Sequence, residues 1–255
     1  MDTLEATTNP FGGILPRPDT LPADPDQFGK QLRHSLESWK AEGHKVVWLE
    51  VTLEKAGLIP VAVGSGFVFH HTTNEYLMLT LRLVEGSFIP PFSTHYIGAG
   101  GVVLNPQDEL LVVSEKHRRR RNNPSYKLPG GAVHPGEHIS ECVKREVMEE
   151  TGVETKFKSL VCFRHWHGYR YGKSDIYFVC RLSPVNQEIT IQEEELEECL
   201  WMPVQDYLGN DHVSVFNKEI VQAALDSPGV APTAIEGYSD PEKHEIFMPP
   251  SLKQA

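Results

Sequence analysis

The sequence predicts an α+β protein: a small α/β N-terminal domain followed by a larger domain of mixed strands with few helices. Three observations predict it. Helical and strand periodicities alternate up to about Glu85 and stop before the Pro90-Pro91 pair, which marks a linker. Strand-like runs with few helical ones follow, which fits an α+β sandwich better than a doubly wound sheet. Among them, a loop rich in glycine and proline feeds directly into one strongly patterned helix.

Five prolines lie in the first 25 residues and five in the last 28. Residues 1–25 and 227–255 are therefore expected to be extended arms with little regular structure. Between them, the small domain takes 26–88 and the larger one 92–226. From Asp26 to Gly43, the apolar Phe28, Leu32, Leu36 and Trp39 fall at helical spacing, with Asp26 as N-cap and Gly43 as the stop. Lys45–Val51 and Tyr76–Leu83 read as strands, and Leu53–Val63 as a short helix broken near Pro60. In the larger domain, strands are expected at Tyr96–Leu104, Glu109–Ser114, Phe157–Trp166, Asp175–Leu182 and Leu196–Met202. Helices are expected at His138–Thr151 and Ser214–Leu225.

Charge and composition narrow the function. The chain of 255 residues carries 24 Lys+Arg against 35 Asp+Glu, a formal net charge of −11. Such a surface repels phosphate-rich partners on average, which argues against broad binding to nucleic acid or an anionic membrane. No apolar run approaches the roughly 18 residues of a transmembrane helix. The first 25 residues have no apolar core segment, so no secretory signal is expected and the placement is cytoplasmic. Cys142, Cys162, Cys180 and Cys199 form no C-x-x-C pair and are expected as buried, reduced thiols.

Most of the information lies between Gly130 and Val153. Gly130, Gly131 and Gly136, with Pro129 and Pro135, make a loop that is neither helix nor regular strand. On a helical wheel, Ile139, Cys142 and Val143 define an apolar stripe, and Glu146, Glu149 and Glu150 fall on that same stripe, within an arc of about 120°. Three carboxylates there repel one another and oppose the negative end of the helix dipole. A bound divalent cation removes both difficulties, and oxygen-only donors select Mg²⁺ or Mn²⁺ over zinc. The competing reading is a solvated acidic face.

Gly131, Glu137, Arg145, Glu146, Glu149, Glu150 and Gly152, with Val147 and Val153 at the apolar positions, match the Nudix box G-x5-E-x7-R-E-U-x-E-E-x-G-U without departure. The stretch from about Gly86 to Leu208 resembles the Nudix hydrolase domain of the eukaryotic group that includes the fibroblast-growth-factor antisense Nudix protein and plant ADP-ribose/NADH pyrophosphatases. Gly172-Lys173-Ser174-Asp175, Cys180-Arg181-Leu182 and Trp201-Met202 carry that closer likeness. The resemblance implies the Nudix fold, a mixed-sheet α/β/α sandwich. It also implies metal-dependent hydrolysis of a nucleoside diphosphate linked to another moiety, with ADP-ribose and NADH foremost and AMP as one product. By the same resemblance Glu146, Glu149 and Glu150 hold Mg²⁺ or Mn²⁺, Arg145 fixes a carboxylate of the box, Glu137 participates more weakly, and Gly131 shapes the loop. Homodimerisation is a further expectation from the family. Another Nudix substrate (a dinucleoside polyphosphate, coenzyme A or a capped RNA end) and a non-catalytic nucleotide sensor remain as alternatives, because substrate markers are absent. The proline found about 16 residues beyond the box in many ADP-ribose enzymes is replaced here by Tyr169.

Three candidate groups lie outside the box. Many Nudix enzymes place an additional metal-binding or base carboxylate shortly before a tryptophan. Among Glu193, Glu194, Glu195, Glu197 and Glu198, which precede Trp201, Glu195 fits best and Glu194 next; a solvated acidic loop is the competing reading. Arg118, Arg119 and Arg120, with Lys127, form a basic loop suited to phosphate contact, with a solvated loop or a targeting patch as alternatives. Trp166 and Tyr169, in a segment with His165, His167, Arg170 and Tyr171, are candidates to stack on a base, against ordinary strand-edge packing.

Overall fold

The first 25 residues, expected as an extended arm, instead start a sheet. β1 (Ala6–Thr8) and β2 (Gly13–Pro16) pair antiparallel, with Ala6 opposite Pro16. Asn9 builds the turn: its Oδ1 accepts the N–H groups of Phe11 at 3.0 Å and Gly13 at 2.8 Å, while Gly12 takes φ +78°. The proline density concealed three apolar anchors, Leu4, Ile14 and Leu21, all of them buried. Lys55 Nζ secures the segment by donating to the carbonyls of Pro18 at 2.7 Å and Leu21 at 2.8 Å. These residues belong to a unit spanning Met1–Ser93; a second spans Thr94–Ala255. The computed structural model describes residues 1–116 and 125–249.

In the first unit, α1 (Pro25–Ala41) is capped by Asp24, whose side chain accepts the Gln27 N–H at 2.7 Å. The cap therefore lies two residues before the expected Asp26, because Pro25 suits the first helical position, where no N–H is needed. Phe28, Leu32 and Trp39 are buried, as their spacing requires. In β3 (Val46–Thr52), Val47, Leu49 and Val51 alternate inward. A 3-10 turn at Leu53–Leu58 then leads into α2 (Ile59–Gly64), where Pro60 starts the helix rather than breaking it. β4 (Val68–Thr72) was not legible: it is an edge strand with a bulge between Phe69 and His71, so its apolar residues do not alternate. β5 (Tyr76–Arg82) completes a mixed sheet of order β1-β2-β3-β5-β4, in which β2 and β3 run parallel.

The second unit opens with β6 (His95–Val103), β7 (Glu109–Glu115) and β8 (Gly130–Ala132), followed by α3 (Ile139–Thr151). Then come β9 (Thr155–Trp166), β10 (Ser174–Pro184), β11 (Leu196–Pro203), α4 (Val204–Gly209) and α5 (Val215–Asp226). One sheet has the order β8-β6-β10-β9, with β6 and β10 parallel, and β11 pairs antiparallel with β7. The two-residue period of a strand assigns its side chains to opposite faces. Val103, Leu111, Cys180 and Leu182 pack with Cys142, Val143 and Val147 of α3, whereas Val102, Leu110, Val112 and Val179 pack with Tyr207 of α4 and Val221 of α5. Helices on both faces make the α/β/α sandwich of the Nudix fold.

Two further expectations need correction. The glycine loop does contain a strand: β8 pairs with β6, Gly100 opposite Gly130. It does so only because Gly130, at φ +153°, has no Cβ; one built there would lie 2.3 Å from the Ala99 carbonyl oxygen. The region after 226 is extended but not loose. Leu160 and Val230 exchange backbone hydrogen bonds of 2.9 and 2.8 Å, and β12 (Ala231–Pro232) pairs with β13 (Phe247–Met248).

Cys142 and Cys180 are buried, Cys162 and Cys199 half-buried, and all four are free thiols. Burial pushes the Cys142 and Cys199 thiols up to about 12, so neither supplies a thiolate nucleophile near neutral pH. No helix among the described residues is long and apolar enough to cross a membrane.

Candidate active site

Both ends of α3 are fixed, and this positions its acidic last turns. At the N-terminus, the Glu245 carboxylate accepts the Ile139 N–H at 2.8 Å and the Ser140 N–H at 3.2 Å, opposite in sign to the positive end of the helix dipole. At the C-terminus, Gly152 takes φ +71° and returns its N–H to the Met148 carbonyl at 2.9 Å. Nothing in the sequence pattern pointed to Glu245, which is 106 residues distant from Ile139.

Arg145 organises the carboxylates between these ends. Its Nε and one terminal nitrogen donate to the two oxygens of Glu137 at 2.7 and 2.9 Å, a two-bond pairing. The other terminal nitrogen donates to Glu146 at 2.9 Å and to Glu149 at 3.0 Å. The Glu137 side chain is 14% exposed and also accepts the His134 N–H, and the guanidinium holds its carboxyl down to about 2. Reciprocally, these carboxylates raise Arg145 above its ordinary value.

The three box carboxylates do not share one environment. The Glu146 side chain is 16% exposed and its carboxyl group lies over Gly131, where a Cβ would be 2.5 Å from it. Glu150 is buried and accepts the Gly130 N–H at 3.0 Å; burial pushes its carboxyl up to about 7, with Lys127 acting in the opposite direction. Glu149 departs from the inward stripe: at 55% side-chain exposure it stands at the rim.

All three line a cleft of about 730 Å³ together with Lys127, Glu194 and Glu195. Glu195 lies at the acidic cleft, and Glu194 lines it too. Glu115 lines the same cleft and was missed; it pairs with Lys127 at 2.5 Å, but at the end of a strand it carried no signal in the chain. A second cavity of about 1050 Å³ is lined by Trp166, Tyr169, Tyr96, Arg164, Tyr177 and Phe216, among others. Trp166 is 46% exposed, and the Arg164 guanidinium stacks over Trp166, Tyr177 and Phe216 at 5.1 to 5.7 Å. Arg164 was also missed as a candidate; its ion pair with buried Asp175 at 2.5 Å anchors it between β9 and β10. Lys127, Gly130, Gly131, Ala132 and Arg170 line both cavities, so the acidic and aromatic spaces adjoin. Arg118, Arg119 and Arg120 lie outside the described residues.

The donor set suits a hard divalent cation. Carboxylate oxygens dominate one cleft, and the buried Glu150 carboxylate has a single backbone donor beside it. Among the described residues no three His, Cys, Asp or Glu side chains converge on one point, and Glu146 and Glu149 both pair with Arg145.

The Arg145–Glu137 pair gives a stability test. Its carboxyl lies at about 2 instead of 4.5, so the folded state gains about 3 kcal/mol from the ionised form. That contribution is complete above pH 4.5 and disappears as pH falls through about 2. Glu137→Gln is expected to destabilise the protein by about 3 kcal/mol at pH 7, the difference from wild type shrinking to roughly half by pH 3. Urea unfolding across this range measures it; a pH-independent difference would refute the assignment.

A family model described as the Nudix hydrolase domain matches residues 4–83, and one described as the NUDIX domain matches residues 94–223. Nudix hydrolase 2 of Arabidopsis thaliana is 39% identical over 224 residues, which cover 88% of this chain and 80% of the relative. Nudix hydrolase 8 of the same plant is 38% identical over 207 residues, 80% of this chain; the chain spans only 56% of that relative's length. The human nucleoside diphosphate-linked moiety X motif 6 is 33% identical over 229 residues, 87% of this chain and 72% of that protein. With an intact box at the acidic end of α3 and both units matched, the chain belongs to the Nudix hydrolase family.

Proposed function

We propose that the second unit hydrolyses the pyrophosphate bond of a nucleoside diphosphate linked to a further moiety, with ADP-ribose and NADH as the first substrates to expect and AMP as one product. The observation that carries this is the adjoining of an acidic cleft and an aromatic pocket across Gly130 and Gly131. A nucleotide of this class has a flat base at one end and a charged phosphate chain further along, and the two spaces match those two chemistries.

Glu146, Glu149 and Glu150, with Glu195, would hold a divalent ion, which would supply neutralisation of phosphate oxygens and acidification of a water. Around it, this chain's residues hold and orient. Arg145 presents Glu146 and Glu149 from one guanidinium nitrogen, and its two-bond grip on Glu137 fixes that nitrogen in place. The Gly130 N–H orients Glu150. With Glu195 on the metal, Glu194 on the same cleft accepts the proton of the attacking water; if Glu195 leaves the metal, it takes that role itself. Trp166 and Tyr169 stack on the base, and Lys127 faces the phosphates from the region common to both cavities.

A panel of ADP-ribose, NADH, diadenosine polyphosphates, coenzyme A and capped RNA, incubated with the full chain in Mg²⁺ and in Mn²⁺ and resolved by chromatography, tests the reading. AMP release from ADP-ribose or NADH, abolished by EDTA and restored by excess Mg²⁺, is the expected result. Preferential turnover of another panel member would reassign the substrate, and tight ADP-ribose binding without turnover over hours would make the protein a sensor.

A further inference from the structure

Arg170 is a cation that the reading above leaves without a task. It stands in the hairpin between β9 and β10, in a 3-10 turn at Arg170–Gly172. Gly168 at φ +77° precedes the turn, Gly172 at φ +69° ends it, and Tyr171 within it is held at φ +55°, a conformation that non-glycine side chains rarely adopt. Packing does not account for Tyr171, which is 88% exposed. The bent loop nevertheless places Arg170 on the walls of both the acidic cleft and the aromatic pocket.

Only one other cation among the described residues lines both cavities, Lys127, and Glu115 already pairs with it at 2.5 Å. Arg170 differs: no carboxylate among the described residues pairs with its guanidinium, whose one ring contact is its neighbour Tyr169, at 5.4 Å. An unpaired guanidinium between a base-stacking pocket and a bed of carboxylates sits where the anionic link of a bound substrate has to cross. Its planar donors match two phosphate oxygens at once.

We propose that Arg170 binds the pyrophosphate of the substrate, spanning the two phosphates from the hairpin side. The proposal rests on the pyrophosphohydrolase reading for its reaction but is tested by binding as well as by turnover. The full chain, its Arg170→Ala and Arg170→Lys variants, and the control Lys156→Ala, which removes an exposed charge near the other end of β9, are titrated calorimetrically with α,β-methylene-ADP and with adenosine. Arg170→Ala is expected to weaken α,β-methylene-ADP about 30-fold, equivalent to two lost charge-assisted hydrogen bonds, and to leave adenosine affinity within about twofold. Arg170→Lys should recover part of the loss, and Lys156→Ala should behave as wild type. With ADP-ribose in Mg²⁺, the same contact appears as a KM increase of about 30-fold with kcat changed far less.

Equal weakening of adenosine would show that Arg170 only shapes the aromatic pocket, and unchanged α,β-methylene-ADP affinity would show no phosphate contact; either overturns the proposal. So would failure of the wild-type chain to bind α,β-methylene-ADP. A wild-type chain that binds α,β-methylene-ADP through Arg170 yet turns over no substrate would sink the hydrolytic reading and leave this one standing.

Discussion

Glu149→Gln is expected to lower turnover about a thousandfold in saturating Mg²⁺ while changing stability by less than about 1 kcal/mol. The two effects separate because of where Glu149 stands. Its side chain is 55% exposed and pairs with Arg145, four residues earlier on the same helix, at 3.0 Å. Exposed pairs at that spacing contribute only about 0.3–0.5 kcal/mol to folding. If Glu149 holds the metal as proposed, its loss loosens the cation that neutralises phosphate charge, and about 4 kcal/mol of barrier corresponds to three decades in rate. Steady-state kinetics with a thermal melt on the same sample decide the matter. Near-normal turnover by a folded Glu149→Gln protein would remove this residue from the site.

Gly131→Ala is expected to reduce kcat/KM by about a hundredfold while leaving the melting temperature nearly unchanged. A Cβ at Gly131 would meet Cδ, Oε1 and Oε2 of Glu146, each at 2.5 Å. Those atoms end a flexible side chain, so the chain can fold with Glu146 rotated away, and the loss appears in catalysis. The adjacent Gly130→Ala inverts this outcome. Its Cβ would meet backbone atoms, the Ala99 oxygen at 2.3 Å and Gly100 Cα at 2.6 Å, from φ +153°. Backbone cannot step aside as a side chain can, so destabilisation of about 3 kcal/mol or more is expected. Full activity in Gly131→Ala would mean that Glu146 is not required where it lies.

The acidic end of α3 was legible because Gly131, Arg145 and the three glutamates lie within a single loop-helix segment, where spacing alone relates them. The α+β sandwich was expected from strand runs with few helices and its layering from the family resemblance; that Val102 and Val103 on β6, or Val179 and Cys180 on β10, face opposite helical layers follows from the two-residue strand period. Contacts made across the chain were not legible. Glu245 caps a helix 106 residues earlier, Glu115 reaches the cleft from the end of β7, and Arg164 takes its place from pairing with Asp175 across two strands. Proline density misled at the N-terminus, where Leu4, Ile14 and Leu21 anchor the segment despite five prolines nearby. Glu149 shows the limit of the helical wheel. The wheel gives direction around the axis, but exposure at the rim depends on what covers the helix end, and Glu149 is left outside while Glu150 is enclosed.

The most direct test is a Mn²⁺ titration followed by electron paramagnetic resonance, comparing the wild-type chain with a variant carrying Glu146→Gln, Glu149→Gln and Glu150→Gln together, both checked for folding by circular dichroism. The wild type should remove Mn²⁺ from the free pool saturably, with Mg²⁺ competing, and the triple variant should leave the free signal undiminished. Equal Mn²⁺ uptake by the two folded proteins would contradict the claim that these carboxylates hold the metal.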